Sequence, residues 1–188
     1  LQWCYNLKVV YWNTDAEMPH LAYHEIPFIY AKAGIAYDKN NKNNGTNLIF
    51  GDDTNGWFAE EFYLSEDEDF YCPKSFTAQK VVFRKWNGNG ASFDGNPRGW
   101  QTISLPFTAS KFVVQDNGEQ PQRNIKPFGS TDMGDAKPFW LRSLHSDGFQ
   151  RETIIEAGKP YIICFPNSEQ YLPEYNIHGT IEYWGENT

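Results

Sequence analysis

The chain has 188 residues, 17% of them aromatic and 40% hydrophobic, and carries a formal net charge of −8. That length suffices for one well-buried domain or two small ones. The acidic balance and singly scattered Lys and Arg argue against nucleic acid as a partner, because phosphate binding needs clustered cations. No apolar run approaches the roughly 20 residues that span a bilayer as a helix.

In chain order, Leu1 to Trp12 alternates with period two, which predicts a half-buried strand. Leu1, Trp3, Tyr5, Leu7, Val9 and Tyr11 share one face; Trp12 falls on the opposite, more polar face with Gln2, Asn6 and Lys8. A turn at Asn13–Pro19 leads to an apolar run at Ile26–Tyr30 interrupted by Pro27, and Asp38–Gly45 is rich in Asn and Lys and should be an exposed loop. Short strands are expected at Asn47–Gly51 and Trp57–Leu64, joined by the tight turn Asp52-Asp53-Thr54-Asn55-Gly56. After the acidic run Ser65–Asp69, further strands are expected at Lys80–Trp86, Gln101–Phe107 and Phe112–Val114, with Asn87–Gly99 and Gln115–Gly134 as loops. Pro138–Leu144, Thr153–Ile155, Pro160–Phe165 and Thr180–Trp184 complete the set. Tyr161–Phe165 is apolar on both faces, the mark of a central, doubly covered strand. Leu105, Phe107, Tyr161, Ile163 and Phe165 are the expected core.

No segment repeats apolar residues at i, i+3, i+4 and i+7 over three turns, so helix should be scarce. Many short strands at regular spacing predict an all-β, antiparallel, two-sheet sandwich, jelly-roll-like. Two organisations fit: one domain over 1–188, or an N-terminal β subdomain at 1–72 and a C-terminal module at 73–188. Three cysteines, Cys4, Cys72 and Cys164, form no C-x-x-C; Cys164 reads as a small buried hydrophobe, while a Cys4–Cys72 bridge is compatible with the sequence.

Tyr71-Cys72-Pro73-Lys74-Ser75-Phe76-Thr77-Ala78, followed by Gly99-Trp100-Gln101-Thr102-Ile103-Ser104-Leu105-Pro106-Phe107, resembles a module of Bacteroidetes cell-surface proteins. Ala157-Gly158-Lys159-Pro160-Tyr161-Ile162-Ile163 and Tyr175-Asn176-Ile177-His178-Gly179 fit the same pattern in the same order, so the resemblance spans about residues 70–184. The family often has a cysteine before Leu-Pro-Phe; Ser104 stands there in this chain. The resemblance implies a secreted or surface-anchored protein, often adhesin-like or repeat-containing, and no particular activity. A chain that opens at Leu1 rather than Met, within a strand-like pattern, fits a removed leader or upstream domain.

Candidate chemistry is sparse. His20, His24 and Glu25 have metal-like spacing only on a helix, and Pro19 and Pro27 bracket them; on a strand, residues four apart lie about 13 Å from one another. His145 and His178 are single histidines in turns. Asp52, Asp53 and Asn55 form an oxygen-rich turn that suits calcium, as do the carboxylates Glu60, Glu61, Glu66, Asp67, Glu68 and Asp69, but neither matches a calcium loop. No nucleophile elbow is present. Trp12, Trp57 and Trp86 stand where alternation predicts solvent, and exposed rings on a β scaffold suit sugar stacking or a protein interface. The expected function is a non-catalytic binding or adhesion module for glycan or host protein; a glycan-active enzyme, or an accessory domain of one, is the alternative.

Overall fold

The computed structural model describes residues 8–18, 28–36, 47–66, 71–87, 99–115, 122–166, 177 and 179–186. Its strands are β1 (Val9–Trp12), β2 (Phe28–Ala31), β3 (Asn47–Asp52), β4 (Gly56–Ser65), β5 (Thr77–Asn87), β6 (Gln101–Ile103), β7 (Lys111–Val114), β8 (Arg123–Pro127), β9 (Lys137–His145), β10 (Gly148–Arg151), β11 (Tyr161–Cys164) and β12 (Gly179–Glu186). The described residues contain no α-helix, and none that is long and apolar enough to cross a membrane. The chain divides into two compact units, Leu1–Val82 with Glu186–Thr188, and Phe83–Gly185. Strand β5 runs from one into the other.

In the first unit the strand order is β1-β2-β3-β4-β5. The expected purely antiparallel pairing fails here, because β1 pairs parallel to β2 and β2 parallel to β3. Each of these pairings joins residues nineteen apart, Val9 to Phe28 and Phe28 to Asn47. The intervening segments 13–27 and 32–46 are long enough to carry the chain back to start in the same direction, which a hairpin cannot do. As usual for a strand with parallel neighbours, β2 is buried at all four positions, so both of its faces are covered. One face stacks Val10 and Trp12 with Ile29, Ala31, Leu48 and Phe50 around Met18 and Ile35. The other carries Phe28, Tyr30 and Ile49, with Phe28 against Phe62 and Phe62 against Phe76. Trp12 therefore faces an apolar cluster, whereas Tyr11, on the face expected to be buried, is 44% exposed.

The β3–β4 hairpin closes at Asp52–Gly56, with Gly51 opposite Trp57. Gly51 has φ +145, and a Cβ there would stand 2.0 Å from the Gly56 carbonyl oxygen, so this turn admits only glycine. Alternation breaks further along β4, where Ala59 and Phe62 are both buried three residues apart. The Asn47 side chain takes over as a ladder partner: its Oδ1 accepts from Tyr63 N at 2.6 Å and its Nδ2 donates to Tyr63 O at 2.8 Å.

The second unit has the order β5-β12-β7-β8-β9-β11-β6, with β10 also on β9. Here too the pairing is mixed, since β8 runs parallel to β9. Strand β9 carries three ladders: its start pairs β8, while its later residues pair β11 and β10. Phe112, Phe139, Phe165 and Tyr183 pack edge-to-face and tilted at centroid separations of 5.2–5.8 Å. All five expected core residues, Leu105, Phe107, Tyr161, Ile163 and Phe165, are buried. Strand β11 is central, between β9 and β6, and buried at Tyr161, Ile163 and Cys164, but Ile162 is only half-buried. The expected strand Gln101–Phe107 leaves the ladder after Ile103, yet Leu105, Phe107 and Ala109 continue the buried alternation. Their backbone turns to loops instead: Gly158 N donates to Leu105 O, and Ala109 exchanges a pair of bonds with Ile155. That bridge is all that forms of the expected strand Thr153–Ile155.

Gly185 has no room for a side chain, since a Cβ would meet the Phe107 ring at 2.4 Å and Thr108 O at 2.9 Å. Gly185→Ala should therefore lower stability by about 1–3 kcal/mol, as overpacking does, read as a shifted urea midpoint at unchanged slope. Ile163→Asp should abolish cooperative unfolding altogether, because it buries an unpaired carboxylate.

Candidate functional site

Three strands and the β3–β4 turn of the first unit converge on Lys74. Tyr11 on β1 lies in register with Tyr30 on β2, and their rings stack at 5.4 Å and 24°. Trp57 on β4 meets Tyr30 edge-on at 5.1 Å. The Tyr30 ring is fully buried, and its hydroxyl donates to the Lys74 carbonyl at 2.9 Å. The Cys72 thiol donates to the same carbonyl at 3.0 Å. Burial pushes the Tyr30 phenol well above its usual range, with the adjacent Cys72 adding to the effect.

With its backbone fixed in this way, Lys74 projects its ammonium 5.0 Å from the Trp57 ring centroid and 5.3 Å from that of Tyr11. Asp53 in the β3–β4 turn accepts from Lys74 Nζ at 2.6 and 2.8 Å and from Trp57 Nε1 at 3.0 Å. The hydrogen bond from Lys74, then that from Trp57, hold the Asp53 carboxyl below the usual carboxylate range. The result is a cation and an anion held beside two rings, Trp57 on the β3–β4 hairpin and Tyr11 on β1, with Asp53 and Tyr11 open to solvent.

Asp52, although adjacent, does different work. Its carboxylate accepts from Asn55 Nδ2 and from the backbone N–H of Asn55 and Thr54 at 2.7 and 2.8 Å, which lowers its pKa and holds the turn. The oxygens of Asp52 and Asp53 thus meet protein donors, and Asn55 presents its amide nitrogen, so these three candidate residues hold the turn and one another. Among the described residues, no group of three or more His, Cys, Asp or Glu could hold a metal ion. His20, His24, Glu25, His178 and Asp67–Asp69 lie outside the described residues. Glu61 accepts from Tyr63 and Lys80. Cys72 is a free thiol and Cys4 lies outside the described residues, while buried Cys164 is raised to about 11 by desolvation.

The other two tryptophans differ from each other. Trp12 donates its indole N–H to Ala16 O at 3.1 Å and packs in the apolar cluster of its face. Trp86, in the second unit, is 55% exposed. Arg84, two residues before it on β5, donates to Glu182 at 2.9 Å, and Trp184 Nε1 donates to the other oxygen of that buried carboxylate. Lys111 Nζ stands 3.9 Å over the Trp184 ring.

One cluster escaped the sequence reading. On β9, Ser143 Oγ donates to Glu152 Oε1 and lies 2.8 Å from His145 Nε2, itself 3.3 Å from the same carboxylate oxygen. A serine–histidine relay needs its carboxylate on the ring nitrogen opposite the serine; here all three groups meet at Nε2, and the serine proton is directed to the carboxylate. This is a clasp across a hairpin. The Asp147-Gly148 pair was the signal for that hairpin. Asp52, Asp53 and Glu152 are all shifted down, chiefly by hydrogen bonds from Asn55, Lys74 and Ser143 respectively, which keeps them ionised rather than poised as general acids.

Comparison with protein-family models, with curated proteins and with solved structures finds no match to this chain.

Because the folded-state pKa of Asp53 is depressed, its clamp on Lys74 and Trp57 is intact above the ordinary carboxylate range and is lost as pH falls through the folded value. The Trp57 indole N–H resonance should titrate with a midpoint below 3.8, the unshifted Asp value, and Asp53→Asn should remove that titration. A midpoint at or above 3.8 would refute the clamp.

Proposed function

We propose that this chain is a non-catalytic, extracellular binding or adhesion module of a bacterial surface protein, with glycan as its ligand class. The observation that carries the reading is the group formed by Tyr11, Trp57, Asp53 and Lys74. Sugar rings bind where C–H groups can lie on an aromatic face while hydroxyls find fixed donors and acceptors beside it. Asp53 and Lys74 supply both kinds of partner, already held in place. Trp86, 55% exposed on the second unit, is a further stacking surface; Trp12 has a packing role.

Surface location rests on the resemblance of residues 70–184 to modules of Bacteroidetes cell-surface proteins. The second unit is read as a two-sheet, jelly-roll-like sandwich, because β9 pairs β8 at its start and β10 and β11 further along, and the Ala109–Ile155 bridge ties separate segments. A single stacked ring contributes about 1 kcal/mol, so one site is weak and adhesion depends on multivalent display.

The test is a glycan array with host matrix proteins, probed with displayed multimers of wild type, Trp57→Ala and Trp86→Ala. Trp57→Ala should lose most binding, since it removes the ring and frees Asp53 and Lys74. Multimers that bind nothing, or a Trp57→Ala Trp86→Ala multimer that binds as well as wild type, would assign these rings a structural role. Turnover of a polysaccharide by the purified chain would overturn the non-catalytic reading.

A further inference from the structure

The β9–β10 hairpin has two chemically opposite faces. In register, His145 opposes Gly148 and Ser143 opposes Gln150, so the polar clasp lies on one face. Leu144 opposes Phe149 and Arg142 opposes Arg151 on the other. Strand β11 continues the second face, with Ile162 beside Arg142, and β6 extends it with Thr102 beside Ile162.

Among the described residues, that face shows no counter-charge. Like charges placed directly across a ladder are destabilising, yet Arg142 and Arg151 are so placed in a chain of net charge −8. The acids nearest in sequence are engaged elsewhere: Asp147 accepts twice from Gln150, and Glu152 is held by Ser143 and His145. Among the described residues neither arginine has an ion pair, and Arg142 Nε is buried without a hydrogen-bond partner. The guanidinium of Arg142 lies 5.6 Å from the Trp100 ring centroid, which holds it in place. One row along, Leu144 and Phe149 are 71% and 51% exposed. An aliphatic side chain offers a sugar nothing to stack on or hydrogen-bond to. An exposed Leu–Phe pair beside Arg and Trp has instead the composition of a protein interface core.

We propose that this face docks an extended, acidic segment of a protein partner. The arginine row and the apolar row are two residues apart along the strands, roughly 7 Å. An extended partner matches that step with a Glu or Asp two positions from a large apolar residue: the carboxylate is received between Arg142 and Arg151, and the apolar side chain covers Leu144 and Phe149. This surface lies wholly within the second unit and does not depend on the glycan reading.

The experiment uses the full chain and fluorescence anisotropy of capped peptides repeating Glu-Thr-Phe-Thr, with Lys-Thr-Phe-Thr and polygalacturonate as the other arms. The Glu peptide should bind, more weakly as salt rises, and the Lys peptide should not. Arg151→Glu, at an exposed position, should weaken binding about tenfold or more, as loss of a charge-assisted contact does. Leu144→Ser with Phe149→Ser should do the same without altering the salt dependence. Asp53→Asn and Trp57→Ala, in the other unit, should leave peptide binding unchanged, which separates this result from any failure on the glycan array. Native urea midpoints for Arg151→Glu and the Leu144/Phe149 variant exclude misfolding as the cause. No binding of the Glu peptide, or binding indifferent to Arg151→Glu, overturns the proposal. Binding of polygalacturonate but not peptide, with the same Arg151 dependence, overturns the protein partner in favour of an acidic glycan.

Discussion

The buried ring of Tyr30 is the constraint on which the surface of the first unit depends. A phenol taken wholly out of water needs a partner for its hydroxyl, and it finds the backbone carbonyl of Lys74. That bond, with the Cys72 thiol on the same carbonyl and Phe76 against Phe62, holds a segment outside the ladder, and the lysine side chain inherits its position. Asp53 and Trp57 are then organised around the ammonium, and Tyr11 completes the ring pair. Core packing and surface chemistry are thus linked through one residue that is itself inaccessible.

The second unit applies the same logic with a carboxylate. Glu182 is buried on β12, and a buried charge is tolerated only when paired and hydrogen-bonded. Arg84 and Trp184 meet its two oxygens. The β9–β10 hairpin shows the reverse case: among the described residues its two arginines have no acid, because the nearby carboxylates serve the opposite face. Among the described residues, one unit therefore satisfies its charge internally at Glu182 and leaves Arg142 and Arg151 facing each other.

The sequence disclosed burial better than pairing. Period-two alternation correctly marked Leu105, Phe107 and Ile163 as core, even where Leu105 and Phe107 sit outside any ladder. It misassigned the faces of β1, because apolar side chains line both sides of that strand and alternation loses its contrast. The parallel pairings were missed although the long segments on either side of β2 hinted at them. Strand β8 has Ile125 as its main apolar residue and ends in proline, so nothing in Arg123–Pro127 distinguished it from loop. Of the candidate site, Trp57 and Asp53 were legible as a ring next to an oxygen-rich turn. Lys74 was not, since its position depends on a tyrosine forty-four residues away. The clasp of Ser143, His145 and Glu152 likewise exists only once the hairpin folds.

The equal nineteen-residue offsets of β1, β2 and β3 also bear on the order in which the unit assembles. A tight turn at Asp52–Gly56 brings β3 and β4 together over a few residues, whereas β2 and then β1 must each close a much longer loop for a short ladder. Loop-closure entropy puts such contacts late. Tyr11 belongs to the last strand in that sequence, so the expected course is that Trp57 and its turn exist first and the second ring arrives with the final closure. A chain interrupted before that step would hold most of its core and only half of its aromatic surface.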